Sequence, residues 1–176
     1  FGVSAELALN LVDELFRRVQ QILINGETLD ILLSQMPVDR VTPEQVVNML
    51  WQKTGILYEF CGRAGAAIGL NQPDLYHSSV EALATFTSRC GTAFQIQDDI
   101  LGVVGEANKL GKAVGNDIRE GKRTLVLIGS LPRMTAAQRA FTLKTIGNHE
   151  SSNADVEEVI SLFRNSGGID YARDMA

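Results

Sequence analysis

Apolar residues in this chain recur at helical spacing almost throughout, and no sustained alternation of apolar and polar residues marks a half-buried strand. That periodicity predicts an all-α protein. Leu7, Leu11, Leu15, Val19, Ile22 and Leu23 make one stripe over 4–25, with Gly26 placed to cap its end. A short apolar helical piece, 28–33, follows. Thr42-Pro43-Glu44-Gln45 combines a capping threonine, a proline at the first helical position and a glutamine three residues on, so a helix starts there and runs to about residue 69. Another spans about 76–104, interrupted only by Gly91. Residues 105–123 read as a loop containing Gly105, Gly111, Gly115 and Gly121. Thr135-x-x-Gln138 opens a further helix to about 146. Asn153 caps one carrying Val156, Val159, Ile160 and Phe163 up to Gly167-Gly168, and a last helix starts at 169 and is cut short by the end of the chain.

Length and composition bound the rest. At roughly 100 to 200 residues per domain, 176 residues point to one domain over 1–176. Sixteen basic against 21 acidic residues give a net charge of −5, so no chain-wide basic field is available to neutralise nucleic-acid phosphates. No apolar run approaches the length of a membrane span. Cys61 and Cys90 form no metal pattern and read as small core hydrophobes in a reducing compartment. His77 and His149 lack partners for a metal site or a hydrolytic triad. No charged-then-apolar leader is visible at Phe1, which makes the cytoplasm the expected location.

Three anomalies carry chemistry. On a helix Gln95 meets Asp98 at i+3 and Asp99 at i+4, which puts an amide and two carboxylates on one patch of an otherwise apolar segment. The pair reads either as an exposed acidic stripe or as buried carboxylates that need a cation. Mg²⁺, held by one or two carboxylates with substrate phosphates completing its shell, fits the second reading. Lys53 sits in the stripe Val46, Leu50, Lys53, Leu57, Cys61, Ala64, Ile68. Either it snorkels to solvent or its ammonium meets an anion in a cavity, with the Thr54 hydroxyl beside it. Gly111-Lys112 and Gly121-Lys122, with Arg119 and Arg123, read either as solvated turns or as a clamp closing on phosphate. The spacing is not that of a P-loop. Together the three are the inventory for binding an organic diphosphate through Mg²⁺ within helices.

At these residues the chain resembles the trans-isoprenyl diphosphate synthases, the polyprenyl synthetase family, and among them the short-chain and geranylgeranyl diphosphate synthases. Lys53-Thr54-Gly55 resembles the Lys-Thr motif, and Phe94-Gln95-Ile96-Gln97-Asp98-Asp99-Ile100-Leu101 the second aspartate-rich motif. Gly111-Lys112, Asp117 and Gly121-Lys122-x-Thr124 resemble the loop after it. Gly26-Glu27-x-x-Asp30 and Ser166-Gly167-Gly168-Ile169-Asp170 resemble flanking segments. The resemblance implies an antiparallel helical bundle around a deep apolar cavity and a homodimer. It also implies a Mg²⁺-dependent step of isoprenoid biosynthesis, the condensation of isopentenyl diphosphate with an allylic prenyl diphosphate. Carried over, Asp98 holds Mg²⁺, with Asp99 as a second ligand or near neighbour; Lys53, Lys112 and Lys122 grip the allylic diphosphate; Lys53, Thr54 and Gln95 are the catalytic set, with Gln95 and Thr54 facing the developing allylic cation.

Two departures stand out. Gly102 occupies the place of the motif's usual last aspartate. No first aspartate-rich motif, Asp-Asp-x-x-Asp, occurs in 1–176, so the expectation is of a bundle incomplete at both ends that is inactive by itself. Two alternatives remain at this level: a regulatory subunit of the same fold, or a terpene cyclase. The cyclase metal motif starts only at Asn116-Asp117, where Glu120 and Thr124 replace its serine and glutamate.

Overall fold

Ser4 opens the first helix by accepting the Leu7 N–H at 3.1 Å. In the computed structural model, which describes residues 2–105 and 115–176, every regular element is helical. The described residues fall into two compact units, one made of residues up to Leu29 with Val47–Ala93, the other of Asp30–Val46 with Phe94–Ala176.

Helix α1 (Ala5–Asp13) runs through a π-helical turn, Glu14–Val19, into α2 (Gln20–Gln35). The predicted cap at Gly26 is therefore not a cap. Thr28, expected to begin a separate piece, donates its hydroxyl to the Ile24 carbonyl at 2.8 Å within one continuous helix. Gly26 has a packing reason instead. A Cβ there would stand 2.4 Å from the Lys53 amide nitrogen and 2.8 Å from its Cα, so only glycine lets these two backbones approach so closely.

Thr42 and Gln45 form the expected reciprocal cap, with Gln45 Oε1 2.9 Å from the Thr42 nitrogen and Thr42 Oγ1 3.3 Å from the Gln45 nitrogen. The helix it opens is in three parts: α3 (Pro43–Leu50), a second π turn (Trp51–Gly55) and α4 (Ile56–Leu70). A π turn holds an extra residue, so it rotates every later side chain by about one helical position. The predicted stripe fails from that point on. Leu57, Cys61 and Ile68 are exposed, and α4 buries Ile56, Glu59, Gly62, Arg63, Ala66 and Ala67 instead. Cys90 is exposed too, so neither cysteine is a core residue. In this unit Leu7, Ala66, Ala67, Leu75 and Val80 form a core, with Val3 and Leu11 packed against it.

Helix α5 (Ser78–Val104) passes straight through Gly91. The glycine is needed because a Cβ would lie 2.7 Å from the Tyr58 side chain. The predicted loop over 105–123 contains a helical turn, α6 (Asn116–Arg119). The second unit continues with α7 (Leu125–Ser130), α8 (Ala136–Thr145), α9 (Asn153–Asn165) and α10 (Gly168–Asp174). The Thr135–Gln138 capping box is formed as read. Ser152, not Asn153, caps α9, in a capping box with Asp155. Helices α7 and α10 touch where a Cβ on Gly129 would meet the Tyr171 ring at 2.4 Å.

The glycines separate cleanly by surroundings. Gly65, midway along α4, has nothing within 4 Å of a built Cβ. Gly65→Ala should therefore stabilise by the helix-propensity difference, about 0.5–1 kcal/mol. Gly26→Ala should cost about 1–3 kcal/mol through overpacking against the Lys53 backbone. Urea-unfolding midpoints check both, and equal effects at the two positions would contradict the close approach.

Candidate functional site

The residues singled out by sequence lie in both units, and each set has its own surroundings. In the first, the π turn Trp51–Gly55 carries Lys53 and Thr54. Lys53 Nζ pairs with Glu27 Oε2 at 3.1 Å, and the lysine side chain is 28% exposed. It is neither in the core nor fully solvated. The Gly26 contact on one side fixes the backbone from which Lys53 projects.

In the second unit, Gln95 donates to Asp98 Oδ2 at 3.5 Å, and Asp98 is half-buried. Asp99 is 8% exposed and lines a cleft with Asp117 and Lys122 against Val103, Ile118, Leu127 and Phe163. The exposed-stripe reading therefore does not hold for Asp99. Burial pushes its carboxyl up to about 7, and the neighbouring Asp117 charge pushes the same way, against the Lys122 ammonium. Lys122 Nζ meets Asp117 Oδ1 at 2.6 Å and Glu120 Oε2 at 3.3 Å. Burial alone would lower the lysine, but the Asp117 hydrogen bond and the two carboxylate charges raise it, so it stays an ammonium.

The backbone places these groups. Gly121, at φ 73°, turns the chain after α6 in the left-handed region that favours glycine. Lys122 N–H then returns to the Asp117 carbonyl at 3.0 Å. Thr124 caps α7 by accepting the Leu127 N–H at 3.3 Å. Asp117 also bears on the Gly102 departure, because its Oδ2 lies 2.9 Å from where a Cβ on residue 102 would be. A carboxylate from α6 thus fills the room that the missing side chain leaves. Lys112 and Gly111 lie outside the described residues.

Adjacent acids, one of them buried beside a third, suit a hard cation, which displaces the Asp99 proton and relieves the repulsion. Among the described residues no cluster of three or more His, Cys, Asp or Glu forms a ready cage.

Sequence reasoning missed a charge network in the first unit, the buried Glu14, Glu59 and Arg63 with the half-buried Arg18. Glu14–Arg18 and Glu59–Arg63 were visible as i,i+4 pairs. Their burial was not, because it depends on the two π turns.

Residues 4–163 match the family model described as polyprenyl synthetase. The chain belongs to this family. It is 37% identical over 132 residues to a short chain isoprenyl diphosphate synthase of Methanocaldococcus jannaschii, covering 75% of this chain and 38% of that protein. A geranylgeranyl pyrophosphate synthetase structure from Pyrococcus horikoshii superposes with a TM-score of 0.81 at 31% identity, over 98% of this chain and 50% of that one. A geranylgeranyl pyrophosphate synthase from Corynebacterium glutamicum, complexed with isoprenyl diphosphate and magnesium, gives 0.80 at 26% identity, over 97% and 47%. The polyprenyl synthetase match confirms the family resemblance, and the superpositions confirm the all-α fold. The chain spans about half the length of such relatives or less.

The Asp99 shift sets a pH dependence. Its carboxyl titrates near 4 unfolded and near 7 folded, so the folded state binds the proton more tightly and loses stability as pH rises through that window. Without divalent metal, the stability of Asp99→Asn relative to the parent should grow between pH 4 and pH 7, by up to about 4 kcal/mol at 1.36 kcal/mol per unit. Unfolding midpoints across this range test it. A difference that is constant with pH would contradict the buried, proton-holding carboxyl.

Proposed function

We propose that the protein condenses isopentenyl diphosphate with an allylic prenyl diphosphate to give a short-chain prenyl diphosphate. The observation that carries this reading is the Asp98–Asp99 pair of α5, with Asp99 buried beside Asp117 and Lys122. The Corynebacterium relative is complexed with isoprenyl diphosphate and magnesium, which supports Mg²⁺ as the ion here. Membership of the family favours this over a regulatory subunit or a terpene cyclase.

Ionisation of an allylic diphosphate separates a diphosphate anion from a carbocation, so the protein must stabilise the first and keep water from the second. Asp98 and Asp99 would hold Mg²⁺, which when bound supplies Lewis-acid neutralisation of the leaving group. Lys122, an ammonium held by Asp117, is assigned to the diphosphate oxygens, as are Lys53 in its own unit and Lys112. Gln95, oriented by Asp98, and Thr54, beside Lys53, are assigned to the face of the cation. The isopentenyl double bond attacks C1 of the cation, a carbon–carbon bond forms, and the proton leaves to the departing diphosphate. No protein nucleophile is required.

The reading extends to the setting. The family model crosses both compact units, in keeping with residues 1–176 as part of one polyprenyl synthetase domain. Among the described residues no helix is long and apolar enough to cross a membrane; a cytoplasmic location and a homodimer are what the family resemblance implies.

The test is incorporation of labelled isopentenyl diphosphate by the intact protein with Mg²⁺. Asp98→Ala should lower turnover about a hundredfold or more while leaving the unfolding midpoint nearly unchanged, because Asp98 is only half-buried. Chelation by EDTA should abolish turnover and Mg²⁺ should restore it. Unchanged Mg²⁺-dependent turnover in Asp98→Ala would sink the assignment.

A further inference from the structure

The buried charges of the first unit end on the turn that carries Lys53. Arg63, 1% exposed, donates to Glu59 Oε1 at 3.0 Å, to Glu81 Oε2 at 2.5 Å and to the Leu75 carbonyl at 2.7 Å. Arg18 donates to the same Glu59 oxygen at 2.6 Å. Glu59, 7% exposed, therefore has one oxygen held by two guanidinium groups. Its other oxygen, Oε2, accepts the Ser88 hydroxyl at 3.2 Å. That hydroxyl in turn accepts the Trp51 indole N–H at 3.0 Å.

The direction of this chain of bonds is fixed. An indole nitrogen only donates, and a serine hydroxyl has a single proton to give. That proton goes to Glu59, which leaves a Ser88 lone pair aimed at Trp51. Burial alone would raise the Glu59 carboxyl, but hydrogen bonds from Arg18 and Arg63 hold it below its usual value, so it remains a carboxylate and an acceptor.

Trp51 is the first residue of the π turn and Gly55 its last. Both ends close on the same stretch of α5. A Cβ on Gly55 would stand 2.7 Å from Thr92 Oγ1, 2.9 Å from Trp51 Cδ1 and 3.2 Å from the Ser88 carbonyl. The wide turn is a less favourable geometry than the α-helix on either side, so it persists only where outside contacts specify it. Those contacts are the Trp51–Ser88 bond, the Gly55 approach and the Gly26 approach from α2.

We infer that Glu59, Ser88 and Trp51 are positioning residues for Lys53 and Thr54: the carboxylate orients the Ser88 hydroxyl, the hydroxyl holds the indole, and the indole keeps the π turn open so that Lys53 and Thr54 project from it. This rests on the reading of Lys53 as a diphosphate contact. A buried ion-pair network serving stability alone would need neither the serine link nor its fixed direction.

Trp51 is the single tryptophan of the chain, so its indole N–H gives one NMR cross-peak that reports the Ser88 bond directly. The probe of function is inorganic pyrophosphate with Mg²⁺, titrated into the intact protein by calorimetry. Ser88→Ala should shift the indole cross-peak and weaken pyrophosphate binding about tenfold with little change in unfolding midpoint. Ser88→Thr, which keeps the hydroxyl, should restore both. Trp51→Phe removes the N–H donor and keeps a ring, and should weaken binding to the same extent if Ser88→Ala fails to fold. Lys53→Gln separates the two ideas. If it weakens binding while Ser88→Ala and Trp51→Phe leave binding at the parent value, the positioning role is overturned and the reading of Lys53 stands. If Lys53→Gln itself leaves binding unchanged, the reading of Lys53 falls and the positioning role with it.

Discussion

One extra residue in the turn Trp51–Gly55 decides which face of the following helix is buried. Before the turn, Val46, Met49 and Leu50 are inside. After it, an unbroken α-helical register would bury Leu57, Cys61 and Ile68, whereas the actual path buries Ile56, Glu59, Arg63 and Ala67. The choice brings an ion pair into the interior and leaves several large apolar side chains outside, which is costly on both counts. A fold tolerates this where the displaced turn does something. Here the turn takes Lys53 out of the stripe that its spacing assigns it, with Thr54 beside it.

The second unit uses the opposite electrostatic device. Glu59 is buried with two guanidinium partners and stays charged. Asp99 is buried with the Lys122 ammonium already engaged by Asp117 and Glu120, so its own charge is poorly compensated and its carboxyl holds a proton near neutral pH. A compensated buried acid keeps its charge and stays a fixed hydrogen-bond acceptor. An undercompensated one is left with a net pull toward positive charge, which a proton satisfies near neutral pH. Gly102 belongs to the same arrangement, because its missing side chain leaves room for the Asp117 carboxylate that raises Asp99.

The helical class, the Thr42 and Thr135 capping boxes and the long α5 were legible because period and capping chemistry are local properties. Gly26 and Gly91 were misread for a physical reason. A glycine that ends a helix and one that admits a neighbouring backbone or ring look identical in sequence, and only the partner distinguishes them. Cys61 and the stripe after Lys53 were misplaced by the π turn, whose extra residue leaves no mark in composition. The α9 cap slipped by one residue because Ser152 and Asn153 are both good caps. At the site, Gln95 and Asp98 were legible as an i,i+3 pair. The involvement of Asp117 with Asp99 was not, since it depends on α6 packing near α5 within one unit.

Some of the places where local reasoning fails lie within the family motifs. Lys53-Thr54-Gly55 falls on a π turn and Asp98-Asp99 on a helix that buries one of its own like charges. Each is a departure from what the local sequence would choose for stability alone, and such departures concentrate where function holds them. Glu59, Ser88 and Trp51 lie outside those motifs yet share the character, a buried charge and a directed hydrogen bond where apolar packing would serve stability as well. Their one consequence that plain packing would not reproduce is the geometry of the turn beside them. That is why the buried network is best understood through Lys53 and not through the core.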